Sequence, residues 1–90
     1  MRFSWDPAKA ASNLKKHGVS FHEAASVLKD PLSTTFPDDE HSSVERRALT
    51  IGMSQNGRLV VVAHSERSET IRIISARPTT RRERGFYEQG

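Results

Sequence analysis

The segment VVVAHSER, residues 60–67, places a histidine, a glutamate and an arginine at the end of an apolar run. As a strand, its alternation sets His64 and Glu66 on one face, and the turn that follows must bring Arg67 round to them. A strand end holds polar groups in fixed geometry, and these residue types suit proton transfer beside a stabilised negative charge. Arg77 closes the next apolar run, IRIISAR, in a comparable place. The same residues equally make a salt-bridged hairpin end with a half-buried histidine, in which Arg77 pairs with Glu66 or Glu69. Lys16 and His17 are a further cationic pair, and a position at the C-terminal end of a helix already accounts for them.

Other chemistries find little support. There is no cysteine, so a thiolate nucleophile, a thiolate metal site and a disulfide framework are all excluded. His17 and His22 are separated by a helix break, without metal-ligand spacing. PDDEH, residues 37–41, gathers hard oxygen donors but reads as a solvated acidic loop. Neither a Gly-rich phosphate loop nor a nucleophile elbow is present. The expectation is a site with no metal and no cofactor.

Charge is unevenly distributed along the chain. Residues 46–90 carry nine arginines, no lysine and four glutamates, within a 90-residue chain of net charge +3. Guanidinium forks match phosphate and carboxylate bidentately, which favours a phosphate-rich partner. An acidic protein surface would satisfy the same charges. Arg81, Arg82 and Arg84 read as one exposed helical face able to contact phosphate, and Arg72 receives no role.

These groups need elements to position them. RFSW opens as a short strand. Asp6 and Pro7 start a helix that Gly18 stops, with Ala10, Leu14 and His17 on its inner face and Lys9, Asn13 and Lys16 directed outward. Ser20 with Glu23 predicts a capping box for a second helix, carrying Phe21, Ala24, Ala25 and Leu28 as its buried stripe and ending at Asp30-Pro31. Residues 32–36 read as a strand. ERRALTIGMS alternates, with Arg47, Leu49, Ile51 and Met53 on one face and Arg46, Ala48, Thr50 and Gly52 on the other. Asn56-Gly57 signals a hairpin into residues 58–67, whose two-sided apolar character marks a central strand. TIRIISAR is the last strand, and Thr80 with Glu83 caps a closing helix. The sum is one α+β domain over residues 1–90: an N-terminal strand and two helices packed on an antiparallel sheet of about four strands, with a short C-terminal helix. With no long apolar stretch, the expectation is a soluble, cytoplasmic protein.

FSWDPAKAASNLKKHGVSF, the DPL step, LTIG, RLVVVAHSER, IRIISAR and TRRERGFYE occur in an order that resembles the BrnT family of type II toxins across nearly the whole chain. The resemblance implies a RelE-like fold and a ribonuclease that cleaves RNA without metal and inhibits translation. It also implies a BrnA-type ribbon-helix-helix antitoxin, held in a toxin-antitoxin hetero-oligomer. On the matched positions, Arg67 and Arg77 become candidates for stabilising the phosphorane, Glu66 or His64 for the base, and His17 for the acid. Lys16, Arg81, Arg82 and Arg84 are assigned to RNA binding. The competing expectation is a non-catalytic basic module that binds RNA or protein.

Overall fold

The computed structural model describes residues 2–41 and 46–89. Its elements are β1 (Arg2–Ser4), α1 (Pro7–His17), α2 (Phe21–Val27), β2 (Thr34–Pro37), β3 (Arg47–Met53), β4 (Leu59–Arg67), β5 (Thr70–Pro78) and α3 (Arg81–Gln89), with a 3-10 turn at Asp39–His41. The strands form one five-stranded sheet in the order β1-β5-β4-β3-β2. The α+β class holds, and the expected N-terminal strand joins the sheet as its fifth member. β1 runs parallel to β5, whereas the other neighbours are antiparallel, so the sheet is mixed. Ser42, Ser43 and Glu45, expected in a polar loop and at a strand start, lie outside the described residues.

Local chemistry fixes the helix ends. Asp6 accepts a hydrogen bond from the Ala8 N–H at 2.8 Å, Pro7 occupies the first turn, and Gly18 adopts φ 72° while its N–H returns to the Leu14 carbonyl. Ser20 Oγ accepts from the Glu23 N–H at 3.0 Å. Thr80 and Glu83 form both halves of a capping box, at 3.2 and 2.9 Å.

α1 and α2 lie on one face of the sheet. The core there joins Val19, Phe21, Ala24 and Val27 to Val60, Val62, Ile73 and Ala76. Gly52 permits the approach of α2, because a Cβ at this position would lie 3.0 Å from Ser33 Cβ and 3.1 Å from the Val27 carbonyl oxygen. The second helix thus buries Val27 alongside Phe21 and Ala24, while Ala25 and Leu28 are only partly covered.

The first helix corrects the sequence reading. Leu14 is 51% exposed, and Asn13 is the buried residue of α1. The Asn13 amide donates to the Val19 carbonyl at 3.0 Å and the Ala76 carbonyl at 2.8 Å, and accepts from the Ala76 N–H at 3.1 Å. β1 pairs with β5 only over Thr70–Arg72, so further along that edge the side chain of Asn13 takes up the backbone groups a longer strand would have met.

Glu23 is a second buried polar anchor. Only the Ser20 half of its predicted capping box forms, because the carboxylate turns instead to Ser54 Oγ at 2.7 Å and to Arg58 Nε and Nη2 at 2.7 and 2.8 Å. Arg58 Nη2 also donates to the Gly18 carbonyl, which binds the end of α1, the start of α2 and the β3–β4 hairpin together. The Arg58 hydrogen bond, helped by Ser54 and outweighing burial, lowers the Glu23 pKa from 4.5 to about 2.

Asn13→Ala leaves both backbone groups of Ala76 unpaired in the core and should cost about 3 kcal/mol by urea denaturation; a loss below about 1 kcal/mol would contradict the edge-capping role. The stabilisation from ionised Glu23 is complete above about pH 5 and is lost as pH falls toward 2. Wild type should therefore exceed Glu23→Gln by about 2 kcal/mol at pH 7, a value tempered by the partial exposure of Arg58. That gap should close between pH 5 and pH 2; a gap independent of pH would argue against the ion pair.

Candidate nucleic-acid interface

Among the described residues, the face of the sheet opposite α1 and α2 is covered at one end. There α3 crosses β3, with Phe86 against Phe36 at 5.5 Å between ring centroids and Tyr87 Oη donating to Asp30 Oδ2 at 2.7 Å. Arg77 holds the start of α3 through a bidentate pair with Glu83, both contacts at 2.7 Å. This pairing replaces the expected partners Glu66 and Glu69. It draws the Glu83 pKa down to about 2, against the opposing effect of burial.

Beyond α3, strand register assembles two adjoining rows on the uncovered face. Arg47 pairs with Ser65, Ser65 with Arg72, and Arg72 with Ser4, forming one row across four strands. Arg67 pairs with Thr70, and Thr70 with Arg2, forming the next. Directly paired residues project to the same side, so the patch presents arginines separated by small hydroxyl side chains. Arg2, Arg67 and Arg72 are exposed and Arg47 is half-buried. The guanidinium forks of such a surface match anions bidentately in geometry, with no folded loop needed around them.

The residues singled out in the sequence do not converge. Arg67 and Arg77 share the uncovered face, but Arg77 pairs with Val61, six residues before Arg67 on β4, a separation of about 20 Å at the usual strand rise. They cannot hold one phosphate. Glu66 is exposed at the same rim as Arg67, on the opposite side of the strand, where it pairs with Ile71. Lys16 and His17 end α1 beside Gly18, which Arg58 ties to the start of β4, so they lie at the far end of that strand from Arg67. Arg81, Arg82 and Arg84 are exposed on α3.

His64 is 3% exposed and belongs to the helix-covered side, paired with Ala48 and Ile73. A bulge between Ala63 and His64 adjusts the register with β5. His64 Nε2 lies 2.7 Å from Thr50 Oγ1, which in turn lies 2.8 Å from Thr35 Oγ1, and Nδ1 has no partner among the described residues. Burial pushes the imidazole pKa below its ordinary value, against the pull of Glu66, and so keeps the ring neutral. A ring enclosed in this way has no route to a bound substrate in this conformation.

Arg2, Ser4, Arg47, Ser65 and Thr70 escaped selection in the sequence. The alternation of β3 already placed Arg47 on this side, but the pairing that joins it to β4, β5 and β1 is a property of the assembled sheet. Among the described residues no group of three or more His, Asp or Glu side chains is placed to hold a metal ion, and no helix is long and apolar enough to cross a membrane.

Known proteins extend this geometry. The crystal structure of the Brucella abortus ribonuclease toxin BrnT matches with a TM-score of 0.69 and 25% sequence identity, covering 90% of this chain and 99% of that one. No curated protein sequence gives a significant match. Residues 5–83 match the family described as the ribonuclease toxin BrnT of type II toxin-antitoxin systems. With an arginine-rich sheet face, the same fold and a family match over most of its length, the chain belongs to the BrnT family of ribonuclease toxins.

Proposed function

We propose that this toxin cleaves RNA without a metal ion on the arginine face of its sheet, and that the cleavage inhibits translation. The observation that carries the reading is the pair of rows in which Arg2, Arg47, Arg67 and Arg72 alternate with Ser4, Ser65 and Thr70 on the uncovered face. Transesterification at a phosphodiester needs the 2′ proton removed, the phosphorane charge stabilised and the 5′ oxygen released. Arg67 supplies the charge stabilisation. Glu66, exposed at the same strand end but on its other side, is the nearest of the predicted proton acceptors.

The other candidates take supporting parts. His64 braces β3 through Thr50, and Arg77 holds α3 through Glu83. Arg81, Arg82 and Arg84 bind flanking phosphates, while Lys16 and His17, at the far end of the sheet, contribute to the general attraction for RNA. A BrnA-type ribbon-helix-helix antitoxin neutralises the toxin in a hetero-oligomer by covering the same cationic face.

Arg67→Ala should lower RNA cleavage about a hundredfold and abolish growth arrest while circular dichroism stays native. A folded, fully toxic Arg67→Ala protein refutes the assignment. Chelator should leave cleavage intact and yield 2′,3′-cyclic phosphate ends; activity that disappears with chelator overturns the metal-free reading. RNA that is bound with steep salt dependence but never cut would identify a binding module instead.

A further inference from the structure

We infer that Arg67 and Arg72 grip a single backbone phosphate of the RNA, making Arg72 a substrate-binding residue. The inference deepens the ribonuclease reading and rests on it for the identity of the anion.

Arg67 stands opposite Thr70 and Arg72 opposite Ser65, so the two arginines are diagonal neighbours on adjacent antiparallel strands, with about 7–8 Å between backbones. Guanidinium groups on long side chains meet easily across that distance, whereas Arg77 lies about 20 Å along the strand and its fork is filled by Glu83.

The surroundings favour an anion. An open notch of about 390 Å³ is lined by Ser4, Ser65, Arg67, Ser68, Thr70 and Arg72. Its lining holds two cations, the accessible hydroxyls of Ser4, Ser68 and Thr70, and no carboxylate, a donor set complementary to phosphate oxygens. Ser65, 1% exposed, is buried at its floor. Ser68 adopts φ 56°, a left-handed conformation uncommon outside glycine, which closes β4 onto β5 in a two-residue turn and keeps Arg67 directly across from Thr70.

Two like charges on neighbouring strands repel in the free protein, and a phosphate between them removes that repulsion. The notch also lies in the same row as Arg47, on the next strand but one from Arg72, so the chain of an RNA leaving the notch meets further positive charge. A notch of this size has room for one phosphate with its sugar.

The test uses the full chain as wild type, Arg67→Gln, Arg72→Gln and the double variant. Affinity for a 2′-O-methyl oligonucleotide is measured against salt, and cleavage of the matching RNA is followed alongside. Each single variant should lose about tenfold in affinity and flatten the logarithmic salt slope by about 0.7, the share of one phosphate contact on a single strand. Cleavage should fall about a hundredfold in each. Because both arginines hold one phosphate, the double variant should lose less than the product of the single losses. Arg72→Gln with wild-type affinity and slope overturns the inference, as do losses that multiply fully. Should Arg72→Gln fold poorly, Arg72→Lys decides: it keeps the charge but not the fork, so near-normal salt slope with impaired cleavage supports the grip, and wild-type cleavage overturns it. If wild type binds through Arg72 yet cuts nothing, the phosphate grip stands and the ribonuclease reading fails.

Discussion

The side-chain amide of Asn13 holds the fold at the point where the sheet would otherwise run out of partners. β1 is too short to cover β5, and the Asn13 donor and acceptor meet the carbonyl and N–H of Ala76 as a neighbouring strand would. Its second donor contact, to Val19, fixes the chain leaving α1. One residue therefore sets the distance between helix and sheet, satisfies a buried edge and aims α2. Hydrophobic burial supplies the larger share of stability, but burial is non-directional, and only directed hydrogen bonds select this arrangement from others of similar area.

With the buried anchors Asn13 and Glu23 on the helix side, the opposite face is left open beyond α3. Asn13 joins α1 to β5, and Glu23 with Arg58 joins both helices to the β3–β4 hairpin. α3 occupies part of the other face but buries no residue fully and is held by Arg77, Phe36 and Asp30. The remaining surface is a backbone scaffold with cations at fixed intervals. Its spacing comes from the strand ladder, so the precision of the arginines is that of the backbone, not of a loop.

Much of the fold was legible because its signals are local. Asp6, Pro7, Gly18, Ser20, Thr80 and Glu83 act within one helical turn, and their caps form where the sequence placed them. Asn13 was misread because helical periodicity ranks residues by polarity, and its burial depends on a partner 63 residues away. The parallel pairing of β1 with β5 was illegible for the same reason: alternation identifies a strand but not its neighbour. The site suffered most. Arg67 and Arg77 end successive strands and look adjacent in sequence logic, yet antiparallel pairing sends them to different ends of the sheet. His64 carried a suitable chemistry, but the side of the strand it occupies is the one the helices cover.

The parallel pairing of β1 with β5 also governs timing. In a chain made from its N-terminus, the first strand is synthesised early and waits for almost the last one before it has a partner. Arg2 and Ser4 take their places beside Thr70 and Arg72 only then, and α1 gains its Asn13 contact to Ala76 at the same late stage. The two arginine rows are therefore completed only after β5 has been made, late in the chain.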